Sequence, residues 1–367
     1  MSLNTRSVAT VLVTIALLGC SPAASPSPIA SAPPASSPSP GPAGVPTDGP
    51  SALATPAASP AATGPVAADL DGVLTTPELA HRLPLAISID DARPGRPQSG
   101  FNAASIVWQA PADGFESRYL FVVQEGTASN IGPVRSARFY LAHWAAELDA
   151  AFAHYGGDLL TRNWMIANRG KLFTDVDGLG AGNPAYHRIQ ARAAPYNAFT
   201  SSEDLWRVAG QLGGDTAISP AVHLRPFRED LPAGSRGQKQ AFTIPYHTVN
   251  VRYVYDPATN AYQRFVNGAA QTDQMDGQLV TARTIVVLFM TFRTDSTIEA
   301  GHNRPVLGFI GSGVAWVYTE GTLVKGRWSK PHEGDPTVIL GPDGVELPFV
   351  RGRIFMQVVP IGTKVGS

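Results

Sequence analysis

A long stretch almost devoid of charge and of large apolar side chains limits what this chain can fold into. Residues 21–68 consist almost wholly of Ser, Pro, Ala, Gly and Thr, and Asp48 is their only charged residue. Such a segment buries too little apolar surface to offset the entropy lost on folding, so it is expected to stay disordered. Frequent prolines favour an extended backbone of about 3.1 Å per residue, which gives a spacer of up to roughly 150 Å. Folding is therefore confined to about 290 residues from Thr75 onward, enough for one large or two ordinary domains.

The segment before the spacer has the pattern of a bacterial lipoprotein signal. Arg6 precedes an uncharged stretch over residues 7–19, which leads directly into Cys20. A basic start, an apolar run of about a dozen residues and small residues at the cut indicate a secretory signal. A membrane span needs about 20 apolar residues, more than this run provides. We therefore predict that Cys20, the only cysteine, is lipidated with diacylglycerol and palmitate. The protein would then be anchored on the extracytoplasmic face of the cell membrane.

Composition and spacing exclude several kinds of chemistry. The net charge of −1 argues against nucleic-acid binding through bulk electrostatics. Because Cys20 would be acylated, no thiol remains for disulfides or for nucleophilic catalysis. The histidines show no zinc-type spacing, and the sequence has neither a nucleophile elbow nor a phosphate loop. We therefore expect no metal and no cofactor.

The pattern of apolar runs and turn residues predicts an α+β fold in two parts. The first part, residues 75–215, alternates strands and helices and is expected to form a mixed sheet with packed helices. After a connector over 216–245, short strands separated by glycine-marked turns predict a mostly antiparallel β domain over 246–361. Residues 1–20 are the predicted signal and lipidation site, and residues 21–74 are the predicted disordered linker.

Local patterns predict two helix starts and one hairpin. Gly132-Pro133 introduces an apolar run, so a helix is expected over about 134–148, because proline suits the first helical turn. Ser201, with Asp204 three residues on, predicts the N-cap of a later helix. Residues 256–260 form a turn signal between two strand-like runs, which indicates a β-hairpin.

An arginine cluster at the start of the first of these helices carries the sharpest hypothesis about function. Arg135 and Arg138 are three residues apart, so on a helix they would share a face and repel one another. Both would lie where free backbone N–H groups and the helix dipole already favour anions. One interpretation is a phosphate or carboxylate site in which Ser136 adds a hydrogen bond. The other is an internal ion-pair network with the carboxylates of Asp90, Asp91 and Glu116.

Carboxylates at strand ends and one histidine carry a competing hypothesis. Asp90 ends one predicted strand, Glu116 begins another, and His154 precedes the glycines of a turn. Two carboxylates and a proton shuttle are what a cell-wall glycan hydrolase or transferase requires. The same positions equally suit solvated charges, partners of arginines and a structural histidine. Arg96 is open to the same two interpretations.

Aromatic residues of the second part are also open to two interpretations. Trp316, Tyr318 and Trp328 alternate with small or polar residues on neighbouring predicted strands. They either present a face on which carbohydrate stacks or fill the core of the β domain. A related hypothesis is an assembly factor that uses its β domain as a docking surface.

Several of these stretches together resemble the YerB-like lipoproteins, the family defined by domain of unknown function 3048. The string Gly-Pro-Val-Arg-Ser-Ala-Arg at 132–138 is the most specific, and Ala-Pro-Tyr-Asn-Ala-Phe-Thr-Ser at 194–201 also matches. The resemblance extends over about 80–361 and implies a lipid-anchored bacterial protein in two domains, with no settled reaction. One departure is Ile-Phe-Met-Gln at 354–357, where family members often show Thr-Trp-Ile-Gln. The positions that match the family signature are Asp90, Arg96, Gln98, Ser99, Arg135, Ser136, Arg138 and His154.

These patterns together predict a membrane-anchored extracytoplasmic lipoprotein of unknown activity that binds an anionic envelope ligand. The predicted ligand-binding residues are Arg135, Ser136 and Arg138, with Arg96, Gln98 and Ser99 as further candidates. The predicted partners are the lipid bilayer, through the acyl anchor, and a peptidoglycan, wall polymer or envelope protein, with nucleic acid excluded. The alternative is a cell-wall glycan hydrolase or transferase, with catalytic candidates Asp90, Glu116 and His154.

Overall fold

A computed structural model describes residues 64–238 and 240–366, which form one compact unit. Cys20 and residues 21–63 of the predicted spacer lie outside the described residues. The strands are Val66–Ala67 (β1), Leu74–Thr75 (β2), Leu85–Asp90 (β3), Ile106–Pro111 (β4), Ser117–Val123 (β5), Ala151–His154 (β6), Thr174–Asp177 (β7), Tyr186–Arg188 (β8), Ala198–Thr200 (β9), Phe227–Arg228 (β10), Ala241–Pro245 (β11), Asn250–Asp256 (β12), Ala261–Val266 (β13), Ala269–Ala270 (β14), Thr281–Ala282 (β15), Thr284–Glu299 (β16), His302–Gly308 (β17), Gly311–Thr319 (β18), Thr322–Lys330 (β19), Val338–Leu340 (β20), Phe349–Val350 (β21) and Ile354–Pro360 (β22). The α-helices are Pro77–Ala80 (α1), Phe139–Ala146 (α2), Leu159–Asn168 (α3) and Ser202–Gln211 (α4).

One mixed sheet runs through the whole fold. Its order is β20-β19-β18-β16-β22-β4-β5-β3-β6-β7, and β17 adds an eleventh strand by pairing with β16. The last strand, β22, lies between β16 and β4 and is parallel to both. Strands from the two halves of the sequence are therefore hydrogen-bonded into a single sheet. The connector between two domains that was predicted over residues 216–245 stays a prediction.

A second sheet of five strands covers part of one face of the main sheet. It is antiparallel in the order β11-β12-β13-β14, with β15 pairing to β13. The β12–β13 pair is the predicted hairpin, with its turn at 257–260. Helix α4 packs on the same face, because Leu205 and Val208 join Phe242 and Tyr253 in one core.

The other face of the main sheet packs against α2 and α3. Alternate residues of each central strand point to opposite faces, so Ile87 enters the first core while Ala86 enters the second. The second core is rich in aromatic rings, and Trp108 stacks on Trp144 with centroids 4.2 Å apart. Because strands β3, β4 and β5 are buried on both faces, they read in sequence as continuous apolar runs.

The structure confirms the α+β fold class, with a mixed sheet and packed helices followed by antiparallel strands. The folded part begins earlier than the predicted linker boundary at residue 74, since β1 lies at Val66–Ala67. Leu70 accounts for this difference, because it is only 3% exposed and belongs to the core beneath α2. Within residues 64–238 and 240–366, no helix combines the length and the apolar composition that crossing a bilayer requires.

The helix expected from Val134 begins at Phe139 instead. Residues 131–137 run extended, because their backbone groups pair with neighbouring strands: the N–H of Val134 donates to the Ala198 carbonyl (2.7 Å) and that of Arg135 to the Ser88 carbonyl (2.8 Å). Backbone groups engaged in this way are not available to a helix. The prediction that Arg135 and Arg138 share a helical face is therefore wrong.

Candidate functional site

The extended segment over 131–138 lies against the carboxyl end of β3 and positions the predicted arginines. The carbonyl of Ser136 accepts hydrogen bonds from the Ser88 hydroxyl (3.0 Å) and from Nη1 of Arg118 (2.9 Å). Asp90 forms an ion pair with Arg135 and accepts the Ala92 N–H at Oδ1 (2.7 Å). Asp90 is thus held in place by the guanidinium of Arg135 and by the backbone N–H of Ala92 in the turn that follows β3.

A carboxylate that the sequence analysis did not single out, Asp113, gathers three arginines. It pairs with Arg138 at Oδ2, with Arg304 Nη1 at Oδ1 (3.0 Å), and more loosely with Arg118 Nη2 at Oδ2 (3.9 Å). Burial lowers the pKa of Arg118 and of Arg138 from the usual arginine value, because an apolar environment disfavours the charged form. In the sequence, Asp113 is followed by Gly114, a pair that is typical of a turn and gives no sign of an ion-pair partner.

Asp91 is enclosed by a separate set of polar side chains. Its Oδ1 accepts from Arg96 Nε and Gln98 Nε2, both at 3.0 Å, and its Oδ2 accepts from Gln109 Nε2 at 3.1 Å and from the Ser117 hydroxyl. Only 1% of Asp91 is exposed. This carboxylate therefore has no lone pair left for a substrate.

The network continues between the two sheets to a buried arginine, Arg264. Its Nη2 donates to Gln109 Oε1 (2.7 Å) and to the Tyr119 hydroxyl (3.1 Å), and its Nε donates to the Tyr253 hydroxyl (3.1 Å). Arg264 is fully buried and its guanidinium lies 5.4 Å from the ring centroid of Phe355. The family resemblance leads us to expect tryptophan at residue 355, and the phenylalanine found there forms part of the arginine's aromatic surroundings.

The three catalytic candidates do not form one hydrogen-bonded constellation in the described part of the chain. Burial raises the pKa of Glu116 above its usual value, with the Arg96 charge opposing the shift. His154 is completely buried, with Nε2 2.9 Å from Asp175 Oδ1 and Nδ1 2.9 Å from the Gly156 carbonyl oxygen. These partners suit a structural histidine, and no described hydrogen bond or ion pair joins it to Asp90 or Glu116.

A small pocket does contain two of the predicted binding residues. It has a volume of about 150 Å³ and is lined by Arg135, Ser136, Tyr155 and Arg188, together with apolar residues at 134, 194, 195 and 198. The guanidinium of Arg135 lies 5.4 Å from the ring centroid of Tyr196, and that of Arg188 lies 5.2 Å from that of Tyr155. Sequence reasoning missed Arg188, whose only signal was its place before the 194–201 motif.

The remaining predicted binding residues lie elsewhere. Arg96 and Gln98 line another cavity, of about 330 Å³, whose opposite wall comes from residues 266–272. Ser99 is fully buried and donates its hydroxyl proton to the Asn130 carbonyl (2.6 Å). The side chain of Arg138 is 6% exposed and forms an ion pair with Asp113. The structure thus divides the predicted set, with Arg135 and Ser136 in one pocket and Arg96 and Gln98 in another.

Formal charges cancel among the ion pairs around the 131–138 segment, whereas the pocket has an excess of positive charge. With the buried Arg264 left aside, five arginines face five carboxylates there: Arg96, Arg118, Arg135, Arg138 and Arg304 against Asp90, Asp91, Asp113, Glu116 and Glu299. Arg188 is exposed and donates to Asn197 Oδ1 (2.6 Å), and it has no ion pair among the described residues. Across residues 64–238 and 240–366, no three His, Asp or Glu side chains are arranged to hold a metal ion.

Comparison with known proteins relates the chain to one family. The models for the N-terminal and C-terminal domains of a protein of unknown function (DUF3048) match residues 70–215 and 242–356. The putative lipoprotein YerB of Bacillus subtilis is 25% identical over 303 residues, which is 80% of this chain and 86% of the relative. A crystal structure of the YerB protein from B. subtilis has a TM-score of 0.72 at 24% identity. That match covers 82% of this chain and all of the other, and it shows a shared fold.

Proposed function

The chain belongs to the DUF3048 family of proteins of unknown function, as its sequence resemblance indicated, and from that premise we propose a lipoprotein that binds an anionic group of the cell envelope. The related B. subtilis protein is described as a putative lipoprotein. The lipoprotein signal ending at Cys20 supports the same anchoring here. The spacer would hold the folded part away from the extracytoplasmic face of the membrane, within reach of peptidoglycan, wall polymers and envelope proteins.

The observation that carries the proposal is the pocket formed by Arg135, Ser136 and Arg188. The ion pair with Asp90 engages Nε of Arg135, and no hydrogen bond among the described residues uses its two terminal nitrogens. These nitrogens and the guanidinium of Arg188 provide donors of fixed geometry, which suit phosphate and carboxylate oxygens. Asp90 compensates the charge of Arg135, so Arg188 supplies the net positive charge that attracts an anion.

The size of the pocket narrows the chemistry of the ligand. Pockets that enclose drug-sized molecules measure about 300–1,000 Å³, and this one measures about 150 Å³. It therefore suits one phosphate or carboxylate group of a larger molecule rather than a sugar ring or a peptide. Tyr155 and Tyr196 stand beside the two arginines and would contact whatever group carries the anion.

The other predicted binding residues have supporting roles in this proposal. Arg138 and Asp113 fix the end of the 131–138 segment. Arg96, Gln98 and Ser99 hold the loop that leads out of β3, through Asp91 and the Asn130 carbonyl. The hydrolase alternative needs acid and base groups that converge on a cleft, and the partners of Asp90 and His154 give it no support.

Co-sedimentation with purified cell wall tests the proposal. The chain from Ser21 is expected to pellet with wall, and Arg188→Gln is expected to weaken this at least about tenfold, because a charged hydrogen bond contributes about 1.5–3 kcal/mol. Arg252→Gln is the matched control, since Arg252 is an exposed arginine on β12. Undiminished pelleting of Arg188→Gln, or equal loss with Arg252→Gln, would contradict the proposal.

A further inference from the structure

An open groove on the main sheet is independent of the anion pocket. It has a volume of about 640 Å³ and is lined by residues of β16 and β18, with residues 361–365 of the C-terminal tail as one wall. Its floor is apolar, with the rings of Phe289 and Trp316 edge to face at 5.1 Å. Val314 is 50% exposed and Ile361 is 66% exposed. This volume is in the range of pockets that hold small molecules.

Cationic side chains border this apolar floor on two sides. In the antiparallel register of β18 and β19, Trp316 is opposite Lys325 and Val314 is opposite Arg327. Residues that are directly opposite project to the same face, so both cations stand beside the floor, with Lys325 Nζ 5.1 Å from the ring centroid of Trp316. Lys364 lines the groove from the C-terminal tail, and no Asp or Glu does so among the described residues.

Two of the three hydroxyl groups that line the groove already have partners. Ser312 accepts from Arg327 Nη2 (3.0 Å), and the Thr363 hydroxyl donates to the Pro360 carbonyl (2.8 Å). A glycan needs several hydrogen bonds at fixed positions beside the aromatic ring, and this floor offers few. An acyl chain needs only apolar surface, which the floor supplies at about 25 cal/mol per Å² buried.

We propose that this groove binds an anionic phospholipid, with an acyl chain along Phe289, Val314 and Trp316 and its phosphate at Lys325, Arg327 and Lys364. The groove and the lipid are complementary in polarity and charge, because an apolar floor with cations at its border matches a molecule that joins a hydrocarbon chain to an anionic head. The site faces solvent, and the predicted spacer is a disordered tether rather than a rigid rod, so it would also let the folded part return to the membrane surface where such lipids lie.

Titration with lysophosphatidylglycerol, which has one acyl chain and one phosphate, tests this assignment. The full-length chain carrying Cys20→Ser is used, so that no attached lipid competes. We expect saturable binding with a blue shift of tryptophan emission that is lost in Trp316→Phe. Val314→Glu should weaken binding at least about tenfold, because it places a negative charge on the floor, where the acyl chain and the phosphate must sit. Leu179→Glu is the control, at a leucine 72% exposed in the turn after β7, the strand at the opposite edge of the main sheet.

The double variant Lys325→Gln/Arg327→Gln tests the headgroup contact while every apolar side chain of the floor is kept. It should weaken binding severalfold and remove the preference over lysophosphatidylcholine. The proposal is overturned if the wild-type chain does not bind, if Val314→Glu binds as tightly as wild type, or if both lipids bind equally well. It is also overturned if chitin oligosaccharide displaces the lipid from Trp316, or if the groove proves to hold a second copy, seen as a dimer that Val314→Glu dissociates.

Discussion

Asp71 is a buried acid whose pKa is raised by its surroundings. It is 2% exposed, its Oδ1 accepts the Val73 N–H at 3.0 Å, and it lies beside Glu125. Burial, with the negative charge of Glu125 added, raises the pKa of Asp71 to about 8. In the unfolded chain the pKa is about 3.9. Between these two values the folded state binds more protons than the unfolded state, so stability is greatest below pH 4 for this group and falls as the pH rises toward 8.

Asp71→Asn should remove this pH dependence while keeping the acceptor for Val73. The free energy of unfolding, measured by urea denaturation, should fall between pH 5 and pH 8 in the wild-type chain by up to about 4 kcal/mol more than in the variant. The amide supplies the donor toward Glu125 that the protonated acid supplies in the wild type. Equal pH dependence in both chains would show that Asp71 is ionised in the folded protein.

At the level of single residues, the sequence identified several residues of the candidate site, but it did not identify all of the residues with which they form ion pairs. Asp90, Arg135 and Ser136 were singled out, and they do lie together. Arg138 pairs with Asp113, which is 25 residues away in the sequence. Asp113 also pairs with Arg304, which is 191 residues away. No local pattern connects such residues, because Arg304 is brought to Asp113 by the pairing of β17 with β16 in the main sheet.

A buried ion pair joins helix α2 to strand β19. Lys330 is completely buried, and its Nζ is 2.8 Å from Glu147 Oε1 at the end of the helix. Glu147 also accepts the N–H and the hydroxyl proton of Thr337, both at 2.9 Å. Burial raises the pKa of Glu147, and the Lys330 charge opposes the shift. The pair thus fixes the helix against the β19–β20 edge of the sheet.

Breaking one side of this pair should be more harmful than removing both charges. Lys330→Met should lower the free energy of unfolding by about 3–5 kcal/mol, since it leaves a buried carboxylate unpaired, and adding Glu147→Gln should recover part of the loss. Arg207→Met is the control, because its pair with Asp204 is exposed and should contribute little. Chemical denaturation measures the free energy of unfolding of each variant. A double variant with a lower free energy of unfolding than Lys330→Met would contradict this prediction.

Among the elements, those with strong local signals were predicted and those fixed by distant contacts were not. Ser201 caps α4 through the Asp204 N–H (3.0 Å), as the local pattern indicated. The apolar run after Gly132-Pro133 also looked helical, yet its first residues pair with β3 and β9. A strand partner supplied by residues 198–200 is invisible to a pattern that reads only neighbouring positions.

On the scale of the whole molecule, the last strand holds the two halves together. Removing β22 would separate β16 from β4 and leave each with an unpaired edge. The buried contacts around Arg264 join the same two halves. Sequence suggested two parts because turn composition changes near residue 245, whereas strand order within a sheet depends on pairings that composition does not encode.

The two halves are therefore expected to unfold in one step. Tryptophan fluorescence and far-ultraviolet circular dichroism should report coincident urea transitions, and a chain ending before Ile354 should fail to show either transition. Two separate transitions, or a stable fold in the shortened chain, would show that each half folds independently.

The central claim is that an anion binds at the open pocket of Arg188 and not at the arginines that are paired with Asp113. The most direct test measures wall co-sedimentation and free energy of unfolding together in two variants, Arg188→Gln in the pocket and Arg304→Gln in the network. Arg304 is bound by Asp113 and Glu299, so its replacement should lower stability and leave wall binding intact. Arg188→Gln should lose wall binding with stability unchanged, and the reverse pattern would contradict the account.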